Sequence, residues 1–272
     1  MKKIKCGLTG YKGNIGKNLI KNKSIKFSYF KGDIRKLKDL TKWINKSNFN
    51  YLVHLAAIVP IKEVNKNKKK ALKVNTIGTE NLVKAILQNE NQIKWFFFAS
   101  TSHVYASSKI KLRENSKIKP ISYYGTTKYL AEKKLNKLRK KNIKICIGRI
   151  FSTANSNQRR NYLVPDLKYK IKKFDFLNLE NLNHYRDFIS IKDISKIISF
   201  FLRKQFSGVV NICSGKKVKL SKIANIIATK YKKKIFIKQN KKSTCLVGNN
   251  QLLKKIYQKK INISLKKIIF EN

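Results

Sequence analysis

The chain has 272 residues, of which 42% are hydrophobic, so it is long enough to bury the core of one large domain. Its formal net charge is +51, but 56 of the 64 basic residues are lysine, and only eight are arginine, the side chain that supplies most specific contacts to bases and phosphates. A lysine coat spread along the whole chain therefore argues against a specific nucleic-acid partner, although salt-sensitive binding to polyanions follows from the charge itself.

The N-terminus predicts a β-strand rather than a targeting segment, because glycine and lysine interrupt its short apolar run. No later run reaches the about 18 uncharged apolar residues of a membrane span, so we expect a cytoplasmic protein with no membrane partner. The cysteines and histidines show no metal-ligand spacing, and most of the cysteines lie in apolar, strand-like runs. We therefore expect buried free thiols and no metal at Cys6, Cys146, Cys213 and Cys245.

Short apolar runs alternate with longer amphipathic stretches along the first 151 residues. The predicted strands are 3–9, 25–30, 51–57, 93–100 and 143–151. The predicted helices are 14–21, 38–47, 68–88 and a segment that begins near Tyr124. This alternation predicts an α/β fold with a Rossmann-like, doubly wound parallel sheet, in which the apolar run 93–100 is buried on both faces.

The alternation loosens after Phe151, which predicts two parts of unequal size. We expect a dinucleotide-binding Rossmann domain over 1–151 and a smaller, C-terminal substrate-binding lobe over 152–272. Later strands around 187–191 and 208–213 are expected to rejoin the sheet of the first domain.

The segment TGYKGNIG at positions 9–16 joins the first strand to the first helix. Gly10 allows a tight turn, Gly13 lets the backbone approach a pyrophosphate, and Gly16 lets the helix pack closely against the strand. The phosphates would then face the free N–H groups at the start of the helix. A glycine triplet in this context predicts a dinucleotide site.

The identity of the dinucleotide stays open between NADP and NAD. In an NAD site, an acidic residue after the second strand binds the adenosine ribose. Here Lys31 follows that strand and Lys12 lies within the glycine turn. Both could neutralise a 2′-phosphate, so the sequence slightly favours NADP, although either lysine also fits an ordinary surface position.

Several segments of the chain, in order, resemble the extended short-chain dehydrogenase/reductases of the NAD-dependent epimerase/dehydratase family, which act on nucleotide-sugars. The resemblance covers nearly the whole chain. Besides the glycine turn, the segments are KGDIR (31–35), VHLAA (53–57), VNTIGTENL (74–82), STSHVY (100–105), YGTTK (124–128), RDFIS (186–190) and NICSG (211–215).

The resemblance implies that Tyr124 exchanges a proton with the sugar carbonyl or hydroxyl. Lys128, four residues later on the same helical face, would lower the pKa of the phenol from its ordinary value of about 10 and hold the nicotinamide ribose. Thr101 would hydrogen-bond the reacting oxygen. The hydride itself would pass to or from the nicotinamide.

The resemblance also assigns the remaining contacts. Asp33 would contact the adenine, although a helix N-cap is the alternative, and Asn75 would tie strands together rather than touch ligand. The implied cofactor contacts are Gly10, Lys12, Gly13, Asn14, Ile15, Gly16, Lys31, Asp33, Ile34, Leu55, Ala56, Ala57 and Lys128.

Substrate would be bound by residues at the other end of the site. Arg186 would reach the substrate diphosphate, with a salt bridge to Asp187 or Asp193 as the alternative, and the stretch 176–179 would flank the nucleotide base. Ser102, His103 and Ser152 complete the expected substrate contacts. Ser152 replaces an asparagine, and Ala106 a glycine, that are usual in the family.

The leading hypothesis is an NAD(P)-dependent reductase of a 4-keto-6-deoxy sugar on a nucleoside diphosphate, with a 4-epimerase as the runner-up. A dehydratase is disfavoured because Ser102 and His103 stand where such members carry an Asp-Glu pair. A non-catalytic, dinucleotide-binding or RNA-associated relative is the third alternative. A homodimer through the helices that carry 75–81 and 124–128 is expected by resemblance.

Overall fold

The computed structural model describes residues 3–89, 93–155, 158–238 and 243–270. The strands are β1 (Ile4–Thr9), β2 (Ile25–Tyr29), β3 (Tyr51–His54), β4 (Trp95–Thr101), β5 (Lys144–Ile150), β6 (Ser152–Ala154), β7 (Phe176–Leu179), β8 (Tyr185–Arg186), β9 (Phe188–Ser190), β10 (Gly208–Ile212), β11 (Val218–Lys219), β12 (Lys234–Ile237) and β13 (Cys245–Leu246). The α-helices are α1 (Asn14–Leu19), α2 (Leu37–Asn45), α3 (Ile61–Lys66), α4 (Lys68–Leu72), α5 (Gly78–Leu87), α6 (Tyr123–Lys134), α7 (Asn136–Arg139), α8 (Leu163–Lys173), α9 (Ile191–Lys204), α10 (Leu220–Tyr231), α11 (Gln251–Tyr257) and α12 (Leu265–Phe270).

Six strands form one fully parallel sheet in the order β10–β5–β4–β3–β1–β2. The strand order reverses at β1, which has β2 on one side and β3 on the other. In doubly wound sheets, ligands bind at the carboxyl ends of the strands beside such a reversal. The predicted Rossmann-like fold is confirmed, and the predicted strand near 208–213 joins the sheet as β10.

Strand β4 lies near the centre of the sheet and is buried on both faces, as its apolar run predicts. Trp95 and Phe97 pack on the face covered by α1 and α9, while Phe96 and Phe98 pack on the face covered by α2, α5 and α6. All four side chains have no exposed surface. Each contributes about 1.5 to 3 kcal/mol of burial free energy, so β4 joins the two halves of the first core, one on each face of the central sheet.

Three elements differ from the sequence-based expectations. The predicted strand 51–57 ends at His54, because the chain leaves the sheet there to line the switch point. The predicted helix 68–88 contains a π-helical turn, Lys73–Ile77, which separates α4 from α5. Strand β9, expected to rejoin the central sheet, pairs with β6 instead, because β4 and β10 already occupy both edges of β5.

The second core is smaller and lies among α8, α10, α12 and the short strands β7 and β12. Its chain segments follow β5 and include much of the predicted substrate-binding lobe. Helix α9, however, packs against α1 and belongs to the core of the central sheet. Within the described ranges, no helix combines the length and apolar character that crossing a bilayer requires. The four cysteines are buried and free.

A chain of buried hydrogen bonds connects the ends of β1 and β3 to the π-helical turn. The Nδ1 of His54 lies 2.6 Å from Thr9 Oγ1, and its Nε2 lies 3.0 Å from Thr79 Oγ1. Thr79 donates its own proton to the carbonyl of Asn75 at 2.7 Å, so Nε2 of His54 is the protonated nitrogen. Burial, and then the charge of Lys128, lower the pKa of His54 well below its ordinary value.

We predict that His54 makes the free energy of unfolding fall at acidic pH. The fold requires its neutral ring, so this contribution is complete above the unfolded pKa of about 6.5 and is lost progressively as the pH falls below it. The free energy of unfolding, measured with urea between pH 7.5 and 5.0, should fall more steeply in the wild type than in His54→Gln. The difference in slope should approach about 1.4 kcal/mol per pH unit. Equal slopes would show that His54 is charged, or exposed, in the folded protein.

Candidate active site

A cleft of about 1660 Å³ opens at the carboxyl ends of the parallel strands and extends to the second core. All predicted site residues except Lys128 line it. They are Gly10, Lys12, Gly13, Asn14, Ile15, Gly16, Lys31, Asp33, Ile34, Leu55, Ala56, Ala57, Thr101, Ser102, His103, Tyr124, Ser152 and Arg186. Segments that are far apart in the sequence therefore share one continuous space.

The glycine turn leaves no room for side chains at two positions. Gly10 has a φ of 75°, and a Cβ there would lie 2.6 Å from the backbone nitrogen of Ala56. A Cβ on Gly16 would lie 2.5 Å from the carbonyl oxygen of Gly10. The turn is thus a backbone-lined cradle between β1 and β3, and its shape fits the diphosphate of a dinucleotide.

Cationic side chains surround the part of the cleft next to β2. Lys12, Lys31 and Arg35 line it together. Arg35 binds the carboxylate of Asp33 through Nε at 2.9 Å and Nη2 at 2.6 Å, which lowers the pKa of that carboxyl to about 2. Asp33 therefore faces the cleft as a charged, oriented carboxylate, and the N-cap of α2 is Lys36 rather than Asp33.

Tyr124 lies in the first turn of α6, which begins because the side chain of Ser122 accepts a hydrogen bond from the backbone of Gly125 at 3.1 Å. Burial raises the pKa of the Tyr124 phenol above its ordinary value, the nearby Tyr162 raises it further, and hydrogen bonding to Thr101 opposes the increase. The lowered pKa expected from the sequence is absent here, because burial outweighs the other influences. The phenol is protonated at neutral pH.

Lys128 lies beneath the wall of the cleft. Its side chain is 2% exposed, and its Nζ lies 3.9 Å from the centre of the Phe98 ring. Burial lowers its pKa to about 7, while the charge of Glu132 opposes that shift. The helical spacing does bring Lys128 and Tyr124 to one face of α6, but the amine of Lys128 packs against the ring of Phe98 instead of lining the cleft. Its contact with a nicotinamide ribose stays a prediction.

Asn75 connects the loop after β3 to α6, rather than one strand to another as the sequence analysis expected. Its side chain exchanges two hydrogen bonds with the backbone of Ile58, at 2.8 and 3.0 Å, and donates a third to Thr127 Oγ1 at 3.1 Å. Thr127 in turn donates to the backbone carbonyl of Tyr124 at 2.8 Å. The π-helical turn presents Asn75 for these contacts, which fix the cleft wall 55–58 relative to Tyr124.

His103 packs edge-on to Tyr124, with the ring centres 6.0 Å apart. Its Nδ1 lies 3.0 Å from Ser122 Oγ. Burial, and then the charge of Arg186, lower the pKa of His103 to about 3, so the ring is neutral at physiological pH. His103 can offer substrate a hydrogen bond but no charge.

Arg186 presents a half-buried cation to the cleft. Its guanidinium donates to the carbonyls of Tyr185 and Thr244 at 2.7 and 3.0 Å and to Thr244 Oγ1 at 2.9 Å. Within the described part of the chain, it has no carboxylate at salt-bridge distance, because Asp187 and Asp193 bind backbone and serine groups instead. Burial lowers the pKa of Arg186 to about 10. A half-buried arginine with no carboxylate partner among the described residues fits an anionic ligand group.

The sequence analysis missed part of the cleft and misplaced one stretch. The segment before α8 lines the cleft with Gln158, Arg159, Asn161 and Tyr162; only its polar and aromatic composition signalled it. The stretch 176–179, expected beside the nucleotide base, forms β7, and none of its residues is among the described residues that line the cleft. Phe176 points to solvent, because β7 pairs with β12 on the far side of the lobe.

Comparisons with known proteins agree on one family. The family model described as GDP-mannose 4,6 dehydratase matches residues 7–265. A GDP-6-deoxy-D-talose 4-dehydrogenase of Aggregatibacter actinomycetemcomitans is 32% identical over 248 residues, which are 87% of this chain and 83% of that protein.

Solved structures with the same fold are more distant in sequence. RMD of Pseudomonas aeruginosa, in complex with NADPH, superposes with a TM-score of 0.87 at 18% identity, covering 98% of this chain and 96% of that one. The UDP-glucose 4-epimerase of Thermus thermophilus, in complex with NAD, has a TM-score of 0.84 at 15% identity, with coverage of 98% and 96%.

We predict that Gly125→Ala separates α6 from the turn that follows β4. An added Cβ would lie far inside van der Waals contact with the backbone carbonyl of His103, and overpacking against backbone costs about 1 to 3 kcal/mol. The thermal midpoint should fall by several degrees, and the exchange of backbone amides in 101–105 should accelerate. The exposed Lys133→Ala on the same helix is the control. A midpoint equal to that of the control would contradict the close packing.

Proposed function

Because the chain belongs to the family whose model is described as GDP-mannose 4,6 dehydratase, and is thus an NAD(P)-dependent enzyme of nucleotide-sugars, we propose that it reduces a 4-keto-6-deoxy sugar carried on a nucleoside diphosphate. A 4-epimerase is the alternative. The non-catalytic alternative does not hold for a member of this enzyme family. The observation that carries the proposal is a protonated phenol, Tyr124, beside the hydroxyl of Thr101 in the cleft.

Each functional residue of the cleft has a separate role in a carbonyl reduction. Thr101 hydrogen-bonds the carbonyl oxygen, and Tyr124 gives its proton to that oxygen as negative charge develops on it. Lys128, one helical turn after Tyr124, in its protonated form supplies positive charge that favours the resulting phenolate. Arg186 binds the diphosphate of the substrate. When bound, the nicotinamide cofactor supplies the hydride.

The protonated phenol of Tyr124 is the form from which a reduction starts. A reduction starts from the protonated phenol, whereas a 4-epimerase must first oxidise the sugar and needs the phenolate as a base. Burial raises the pKa of Tyr124, so the protonated form is its resting state. The relative from Aggregatibacter actinomycetemcomitans is named for the same position of a 6-deoxy sugar. Dehydrogenation and reduction at that position are opposite directions of one reaction.

We further propose NADP as the preferred cofactor. Three cations, Lys12, Lys31 and Arg35, line the cleft beside β2, where the 2′-position of an adenosine ribose would lie. The Asp33 carboxylate is bound by Arg35, which leaves the two lysines to neutralise a 2′-phosphate. The structure of RMD contains NADPH. From the resemblance to the family, we also propose a cytoplasmic homodimer. Light scattering would test whether the protein is a dimer.

The proposed reaction is tested by nicotinamide absorbance with a panel of nucleotide-linked 4-keto-6-deoxy sugars. We predict that the wild type oxidises NADPH and that Tyr124→Phe lowers kcat at least 100-fold, because the phenol is the proton donor. The thermal midpoint of the variant should stay within a few degrees of wild type. Tyr129→Phe, on the same helix, is the control. Cofactor binding without net oxidation, together with interconversion of UDP-sugars, would replace the reductase by the epimerase.

We predict that Lys12→Ala combined with Lys31→Ala weakens NADPH binding at least tenfold and leaves NADH binding within twofold. The reason is that only NADPH carries the 2′-phosphate that the lysines neutralise. Dissociation constants from the fluorescence of the reduced nicotinamide at constant salt measure both. Lys21→Ala, beyond the end of α1, is the control. An equal loss for both cofactors would assign the lysines to the shared diphosphate instead.

A further inference from the structure

A buried carboxylate connects the two elements that carry the proposed proton-transfer residues, β4 and α6, to each other and to β5. Glu132 lies on α6, one turn after Lys128, and is 6% exposed. Its Oε1 accepts hydrogen bonds from the hydroxyl of Ser100 and from Nε of Arg149 at 3.1 Å, and its Oε2 accepts from Nη2 of Arg149 at 2.8 Å. Glu132 thereby joins α6 to the ends of β4 and β5.

Arg149 extends the connection to the segment after β4. Its Nη1 donates to the phenol of Tyr105 and to the carbonyl of Glu114, both at 2.9 Å. Tyr105 donates to Asn211 of β10 at 2.7 Å. Burial alone would lower the pKa of Arg149, but its hydrogen bonds with Glu132 and the charge of Glu132 raise it above its ordinary value. The pair is therefore a fully hydrogen-bonded ion pair in the interior.

The contacts of Glu132 lie one residue, or one helical turn, from the proposed reaction centre. Ser100 immediately precedes Thr101 in β4, and Lys128 precedes Glu132 by four residues on α6, so each contact restricts a neighbouring functional side chain. A sliding of α6 along β4 would break all of the Glu132 hydrogen bonds together. The network thus admits one register of α6 on the sheet.

The network also explains why Arg149, and not Lys128, is the ion-pair partner of Glu132. Arg149 neutralises Glu132 through the paired hydrogen bonds described above, whereas Lys128 has no carboxylate within salt-bridge distance among the residues that the structure describes. The ammonium of Lys128 instead lies against the Phe98 ring. Because Arg149 contacts both oxygens of Glu132, Glu132 forms no ion pair with its helical neighbour Lys128.

We propose that Glu132 is a positioning residue of this site: through Ser100 and Arg149 it holds Thr101, Tyr124 and Lys128 in register. Because Arg149 neutralises Glu132, the carboxylate does not form an ion pair with Lys128. The proposal rests on the reaction assigned above to Thr101, Tyr124 and Lys128. In this proposal, the buried ion pair increases the rate of the reaction rather than the stability of the fold. Buried ion pairs frequently fail to increase stability.

The test removes the polar connection while keeping the core packed. In Glu132→Met combined with Arg149→Met, apolar side chains of similar size replace the pair, an exchange that folded proteins tolerate. We expect kcat to fall about 10- to 100-fold, because small misplacements of reacting groups cost rates of that order. The KM of both substrates and the NADPH dissociation constant should stay within threefold. A folded double variant with kcat within twofold of wild type would overturn the proposal.

A milder pair of variants decides the question if the double variant does not fold. Ser100→Ala removes one hydrogen bond to Glu132, and Ser199→Ala removes an equally buried serine hydroxyl on α9, away from the cleft. We expect kcat to fall at least fivefold in Ser100→Ala only. Equal kcat values in the two variants would overturn the proposal.

Amide hydrogen exchange gives a reading that does not require turnover. We expect peptides spanning 100–105 and 123–134 to exchange at least threefold faster in Ser100→Ala than in wild type or Ser199→Ala. Unchanged exchange would overturn the positioning role even if no substrate were turned over. Failure of the proposed reaction is distinct, since it shows as a wild type without activity on any nucleotide-sugar.

Discussion

The close approach of β1 and β3 at their carboxyl ends is the constraint on which the cleft depends. The strand order reverses at β1, so the connections after β1 and β3 leave in different directions and open a space between them. Gly10 allows the approach because any side chain there would meet the backbone of Ala56. His54 then fixes it, since its ring joins Thr9 to Thr79 at hydrogen-bonding distance on both sides. Everything that lines the cleft is positioned relative to this junction.

Burial, rather than the number of charges, determines the electrostatics of the site. The net charge of +51 comes mainly from lysines along the whole surface, and solvent and salt screen such charges. Lys128, Arg149 and Arg186 are different, because each is removed from water and burial is the largest single influence on the pKa of each. Within the described residues, only Arg149 of these three has a carboxylate partner. Of the other two, Lys128 lies one helical turn after Tyr124, and Arg186 lines the cleft, so both are close to the site of the proposed reaction.

Local sequence patterns predicted the fold and most of the cleft, but they could not predict contacts between residues that are far apart in the sequence. The glycine turn, the apolar run of β4 and the spacing of Tyr124 and Lys128 are local, and the structure places them as expected. The depth of Lys128 depends on a ring of another strand, and the partners Glu132 and Arg149 are separated by the end of α6, by α7 and by most of β5. Neither segment contains a local pattern that predicts the other as its partner. The same reason explains β9, whose partner was decided by the occupied edges of β5.

The family model carries the description of a dehydratase, but the side chains beside Tyr124 favour the proposed reductase. Elimination of water needs a further acid and base next to the proton donor. The positions after Thr101 hold Ser102, a buried hydroxyl, and His103, a neutral ring whose pKa is lowered to about 3. Of the carboxylates that line the described cleft, Asp33 is bound by Arg35, Asp166 by Lys62 and Lys170, and Glu63 is exposed. One proton donor with a hydroxyl and a cation is a set that suffices for carbonyl reduction and lacks the second acid–base pair of a dehydration.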